Sequence, residues 1–267
     1  VDASPPTQAA QRAVDRAGGV GTADVPFRFT GEVRTSTSAT GDVAFPVSGA
    51  ADPKGRQVEV SLDLSAIGRA AGIDLDGRMR VVATGERAWL SMPFLADRLG
   101  LGDRPWIGFD LADLARASGR DASQILAQAR QTTSATSVGY LRGAEADFVR
   151  VGPEAVRGVE TTHYRGTVDL DRAVARAPAA ERDAIRASID STFGKADARR
   201  LPVEVWLDAQ GRVRKESVTY EARAGEERAS VTVDFEFFDI GDPVSVTPPP
   251  PAAVTPYSEI ASRLSSS

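Results

Sequence analysis

Side chains that carry out chemistry are scarce in this sequence. There is one histidine, His163, in the run Thr161-Thr162-His163-Tyr164-Arg165, and there is no cysteine. A zinc site needs several His or Cys ligands, so that chemistry has no residues to use here, and thiolate nucleophiles, disulfides and iron–sulfur clusters are excluded with it. Alternation along the run sets His163 opposite Tyr164 and Val168, on the polar face of a strand, the ordinary place for an isolated histidine. A nucleophile elbow would show Gly-x-Ser-x-Gly, which does not occur. Carboxylate pairs are the remaining route to acid/base catalysis, as in glycoside hydrolysis, with Asp63, Asp74, Asp76, Asp110 and Asp113 as candidates. Any acidic chain carries such residues, and spacing does not encode their separation across a site. Asp74-Leu75-Asp76-Gly77 has the start of a calcium loop but lacks the remaining ligand spacing and the closing glutamate, which leaves a turn. Gly100-Leu101-Gly102 lacks the strand–turn–helix setting of a dinucleotide fingerprint and punctuates the loop before Trp106. The chain is expected to be non-enzymatic, and no cofactor or metal is called for.

The elements that would position any site are mostly strands. Phe27, Phe29 and Val33 alternate with Arg28, Thr30, Glu32 and Arg34, a period of two with one wet face. The Ser/Thr stretch Thr35–Thr40 reads as a turn or mobile loop. Val43, Phe45 and Val47 alternate next, with Pro46 pointing to an edge or bulge. Val58, Val60, Leu62 and Leu64 alternate most cleanly, Met79 and Val81 begin a fourth strand, and Gly85-Glu86 turns into a fifth around Trp89 and Leu90. Strands resume near Phe148. Further runs are Val203–Leu207, Val213–Tyr220 and Val231–Phe237, with a turn at 208–211.

Helices are fewer. Thr7 caps an Ala-rich helix that Gly18 and Gly19 should stop. Ser65–Gly77 reads as a pliable crossover in which Gly68, Ala70, Ala71 and Gly72 would suit an opening mouth. Leu111, Leu114 and Ala115, then Asp121 with Gln124 before Ile125, predict helix in the middle of the chain. Ala179–Phe193 predicts a helix with Ile185, Ile189 and Phe193 on one stripe. Hairpin-sized gaps imply antiparallel pairing, and the single apolar face of each strand implies a sheet covered on one side only. The fold class is α+β, a large curved antiparallel sheet, a half-barrel, wrapping helices. Residues 1–6 form an N-terminal tether, 7–247 one domain, and 248–267 a Pro-rich tail expected to be loosely attached.

Charge narrows the partners. With 32 basic and 37 acidic residues the formal net charge is −5, and no Lys/Arg run is interleaved with aromatics, which argues against a nucleic-acid surface. No apolar run approaches the roughly 20 residues that span a bilayer. The start Val1-Asp2-Ala3-Ser4-Pro5-Pro6 has neither an initiator Met nor a signal sequence, as expected of a trimmed, exported chain with a lipidated cysteine just before Val1. What remains is the apolar interior. Phe27, Phe29, Val58, Val60, Leu62, Met79, Val81, Phe235 and Phe237 would line its sheet side, and Ile185, Ile189 and Phe193 would face them. Such residues either fill a core or leave space that an acyl chain occupies, at about 0.8 kcal/mol per buried methylene. Composition does not distinguish the two.

Particular segments point to a family. Gly158–Gly166 (Gly-Val-Glu-Thr-Thr-His-Tyr-Arg-Gly), then a helix, then Leu201-Pro202-Val203-Glu204-Val205-Trp206-Leu207-Asp208 and Gly211-Arg212-Val213-Arg214-Lys215, resemble the actinobacterial LppX/LprG-type lipoproteins of the wider LolA-like group. Phe27–Glu32 and Trp106–Leu111 fit the same pattern. The resemblance implies a half-barrel over helices and an exported protein on the outer face of the cytoplasmic membrane or in the cell envelope. It also implies an N-terminal lipid anchor and carriage of a lipid or lipoglycan. Three lysines and no asparagine suit a high-GC bacterium of that kind. The quoted motifs are mostly scaffold, so no ligand contact transfers by residue. The alternative is an envelope interaction or sensor module with the same fold and a filled core, contacting its partner through residues 35–40 and the tail.

Overall fold

A computed structural model describes residues 7–20, 25–38, 41–70, 77–110, 138–179, 182–194, 199–224 and 227–265. The helices expected over Leu111–Ala129, and Ala71, Gly72, Asp74, Asp76 and Asp113, lie outside these.

The strands are β1 (Phe27–Thr37), β2 (Gly41–Asp52), β3 (Gln57–Asp63), β4 (Arg78–Thr84), β5 (Arg87–Ser91), β6 (Trp106–Asp110), β7 (Val149–Val156), β8 (Val159–Asp169), β9 (Arg200–Leu207), β10 (Val213–Ala224), β11 (Glu227–Phe238) and β12 (Val254–Pro256). They form one open, coiled sheet in the order β12-β6-β5-β4-β3-β2-β1-β11-β10-β9-β8-β7. Every pairing is antiparallel except β12 on β6. Two meanders, β1–β6 and β7–β11, meet where β1 pairs with β11, Phe29 opposite Phe237.

The Ser/Thr stretch is not a loop as far as Thr37. Thr35, Ser36 and Thr37 pair with both β2 and β11, because β-branched threonine fits the pleated surface better than a turn. Pro46 is tolerated in an interior strand because pairing of β2 with β3 has ended one residue away, at Val47 opposite Leu62.

The helices are α1 (Gln8–Val20), α2 (Ser65–Ala70), α3 (Leu170–Arg176), α4 (Arg182–Phe193) and α5 (Tyr257–Ser265). Thr7 caps α1 as expected, its Oγ1 accepting from Ala10 N at 3.1 Å. The helix nevertheless runs through Gly18 to Val20. A Cβ at Gly18 would lie 2.8 Å from Arg142 N, so this glycine serves close packing against the 3-10 turn Gly139–Gly143. Together α1, that turn, α3 and α4 bury the inner face of β7–β11 around Val14, Leu141, Phe148, Val168, Val203 and Val205.

The Pro-rich tail is the clearest departure from expectation. Val244 and Val246 leave β11 and cluster on the outer face with Val82, Trp106 and the half-buried Trp89. Val246 N donates to Gln57 Oε1 at 3.0 Å. Residues 254–256 then join β6 as β12, and α5 buries Ile260 against Leu101 and Ile107. Arg104 forks onto the Glu259 carboxylate at 3.0 and 3.3 Å. Four consecutive prolines, Pro248–Pro251, suit a segment that crosses a sheet without joining its ladder. The tail is therefore a strap that closes the β6 edge, not a loose end.

Candidate functional site

Register decides which side chains share the inner face. One row across the sheet reads Phe237, Phe29, Gly49, Val60, Val81, Leu90 and Ile107. The next reads Val205, Glu216, Phe235, Gly31, Val47, Leu62 and Met79. Both rows are apolar apart from Glu216.

Among the described residues two places on this face are covered. At one end α1, α3 and α4 seal the main core, and at the other α5 and residues 96–101 pack on Ile107 and Phe109. Between them Val60, Leu62, Met79, Val81 and Leu90 are half-buried, and among the described residues they belong to none of the three core clusters. Half-buried apolar surface continues through Val47, Phe45, Val33, Val233 and Val231. From Phe29 on β1 to Leu90 on β5 is four strand spacings, about 19 Å of half-buried apolar sheet face.

The floor beside this strip is aromatic. Phe29 meets Phe235 edge-on at 5.8 Å, and Phe27 meets Phe237 at 5.9 Å. These rings lie down on glycines of the neighbouring strand. A Cβ at Gly49 would sit 2.6 Å from Phe29 Cζ, and one at Gly31 would collide with the Phe235 ring. Any larger residue there would push the ring away from the sheet.

The residues expected to line the interior thus divide. Phe27, Phe237, Ile185, Ile189 and Phe193 are buried in the main core, and Phe29, Val58 and Phe235 are half-buried against it. Val60, Leu62, Met79 and Val81 lie in the half-buried strip between the covered ends. The α4 stripe shares the main core with Phe27 and Phe237 of the expected lining, while Val60, Leu62, Met79 and Val81 lie outside that cluster. The stripe faces the far half of the sheet, where Phe193 packs edge-on against Tyr140 and Tyr220 at 5.5 and 5.4 Å. On α2, Gly68 is buried.

Glu216 was not singled out in the sequence, although it stands in phase with Val218, Tyr220 and Ala222 and so had to point inward. It is 5% exposed, and its Oε2 accepts from the hydroxyl of Tyr140, in the 3-10 turn, at 3.0 Å. Burial pushes the carboxyl up to about 8, against the smaller opposing effect of the tyrosine hydrogen bond. Burial likewise pushes the Tyr140 phenol well up, aided by the neighbouring Glu216. Leu90 was also missed as a lining residue, because its short strand offers little alternation to read.

Of the hydrolytic candidates, His163, Asp63 and Asp110 lie among the described residues, and these three do not converge. His163 lies on the outer face as its phase predicts, stacked on Trp206 at 4.1 Å with Nε2 2.6 Å from Glu204 Oε2. Trp206 Nε1 donates to Glu154 Oε2 at 2.8 Å, and Lys215 covers the indole at 4.6 Å. The histidine is thus held between stacked and hydrogen-bonded neighbours. Asp63 takes the backbone N–H of Ser65 at 2.9 Å, and hydrogen bonds from Ser65 hold its carboxyl below the ordinary range. Asp110 stands opposite Arg87, three strand positions from β3. Among the described residues no group of His, Asp and Glu could hold a metal ion, and no helix is long and apolar enough to cross a membrane.

No protein-family profile matches the sequence. The chain is similar to an uncharacterized 31.2 kDa protein from the rplA–rplJ intergenic region of Streptomyces griseus, 28% identical over 130 residues. That stretch is 49% of this chain and 42% of the relative, so less than half the length of either protein is matched. Among solved structures it is similar to LprF from Mycobacterium bovis, at 13% identity with a TM-score of 0.47, covering 92% of this chain and 99% of that one. It is similar also to the lipoprotein LppX from Mycobacterium tuberculosis, at 12% identity with a TM-score of 0.44, covering 90% and 100%.

Proposed function

We propose that this chain is a non-enzymatic, extracytoplasmic lipid-binding protein. Acyl chains of a lipid or lipoglycan lie in a trough along Val60, Leu62, Met79, Val81 and Leu90, and the protein carries them while tethered to the membrane by an N-terminal lipid anchor. One observation carries this reading. A continuous apolar strip stays half-buried between two sealed ends of the same sheet face. A monomeric protein rarely leaves apolar surface contiguous on this scale unless something binds there. A bound chain removes it from water at about 0.8 kcal/mol per methylene, so ten methylenes would contribute on the order of 8 kcal/mol before ordering costs.

Two substitutions separate trough from core. Val60→Trp fills the trough and is expected to keep the fold while removing bound lipid. Ile189→Trp enters a site only 2% exposed and is expected to destabilise by about 1–3 kcal/mol or more. The test is organic extraction of protein purified from a bacterial host, followed by mass spectrometry. Lipid recovered from the native chain and lost from folded Val60→Trp is the expected result. Equal recovery from both, or none from either, would sink the proposal.

A further inference from the structure

Among the described side chains, the inner face of the sheet from β8 to β6 is built from apolar residues, glycine, threonine and tyrosine, with one carboxyl exception, Glu216. A carboxyl there is costly, and a leucine would pack the same volume without the penalty. Among the described residues no cation bonds to it; Arg214, two residues before it on β10, is held by Asp208. Across the ladder stand Val205 and Phe235, along β10 stand Val218 and Tyr220, and from the helix layer comes Tyr140. Among the described residues the Tyr140 hydroxyl is its one hydrogen-bond partner.

Glu216 and Tyr140 are each 5% exposed, and half-buried apolar surface begins at their neighbours. Phe235, directly across from Glu216, is half-buried, and so are Val233 beside it and Tyr220 four residues along β10. Glu216 shares its row with Val47, Leu62 and Met79, so a molecule lying along that row points one end at the carboxyl. We propose that Glu216 and Tyr140 form a hydrogen-bonding subsite that receives a hydroxyl group of an uncharged lipid lying in the trough. This rests on the lipid-binding reading given above.

The chemistry selects that class. A carboxylic acid beside a phenol offers donors and acceptors together, which match a hydroxyl, itself donor and acceptor. An anionic group would meet a carboxyl with no cation bonded to it, and an ether or hydrocarbon in the same place would leave the pair's free valences unanswered. The contribution of such a site is discrimination: an analogue lacking the hydroxyl is rejected because buried polar groups lose a partner.

The test compares 1-hexadecanol with its methyl ether, each displacing Nile red from the folded chain. The native protein is expected to favour the alcohol by about tenfold, the effect of one hydrogen bond in a dry site. Glu216→Gln retains a donor and an acceptor and should retain the preference. Glu216→Leu combined with Tyr140→Phe should remove it, weakening the alcohol and relieving the ether of the unanswered pair, with circular dichroism showing the fold intact. Equal binding of the two probes by the native chain, or a preference that survives the double substitution, overturns the subsite while leaving the trough in place. Failure of both probes to bind overturns the lipid-binding reading and the subsite with it.

Discussion

Deleting residues 243–267 is expected to abolish cooperative folding or to lower the thermal midpoint by at least about 10 °C. The deletion removes Val244 and Val246 from the outer face, β12 from the sheet edge and Ile260 from the β6 end. Each fully buried aliphatic side chain contributes about 1.5–3 kcal/mol, so these three alone account for roughly 5–9 kcal/mol. That is comparable with the whole stability of a typical domain, about 5–15 kcal/mol. The partners they cover, Val82, Trp106, Leu101 and Ile107, would become exposed as well. The new β6 edge would offer unpaired backbone groups, so aggregation should accompany the loss. Thermal unfolding followed by circular dichroism decides the matter. A midpoint within about 2 °C of the intact chain would mean that the strap contributes nothing to stability.

The second large effect is a dependence of stability on pH set by Glu216. Its carboxyl is protonated in the folded chain up to about pH 8, whereas in the unfolded chain it ionises near the ordinary 4.5. Between those values the folded state binds more protons than the unfolded one, so stability falls as pH rises across this window and levels off above it. At 1.36 kcal/mol per unit the span amounts to on the order of 5 kcal/mol. Asp208 acts in the opposite direction and elsewhere on the scale. Burial raises its pKa, but hydrogen bonds from Arg212 and Arg214 outweigh that and bring it below the ordinary 3.8, so its contribution is lost only in acid. Urea unfolding of the native chain and of Glu216→Gln at pH 5 and pH 8 separates the two. The native chain should lose several kcal/mol between these pH values, and the glutamine variant much less. Parallel losses in the two proteins would show that Glu216 is not the titrating group.

Much of the sheet could be read from period-two alternation, because one face is apolar and one is wet in nearly every strand. Val58-Glu59-Val60-Ser61-Leu62 states both its conformation and its face. The tail could not be read that way. Val244 and Val246 are bound on the outer face of strands from the first half of the chain, through contacts that no local pattern encodes. Thr35–Thr40 misled for the converse reason at its first positions: small hydroxyl residues also suit turns, and only pairing on both sides of Thr35–Thr37 settles them as strand. Alternation assigns the lining residues to one face but carries no information on what covers each of them. Alternation says that Val60 and Phe237 point inward, yet whether helices cover them depends on where α1, α3 and α4 settle. That is decided by tertiary contacts such as Phe148 lying over Gly166, with its ring 2.6 Å from where a Cβ would be. Glu216 was legible by its phase. It was passed over because a glutamate amid charged neighbours on a strand is normally solvated.

The most direct measurement is a crystal structure of the chain with a monoacylglycerol brominated along its acyl chain, located by bromine anomalous scattering. Bromine peaks within van der Waals distance of Val60, Val81 and Leu90, on the inner face between the two covered ends, are the predicted result. Saturating ligand with no bromine on that face, or bromine only on the outer face, would contradict the lipid trough.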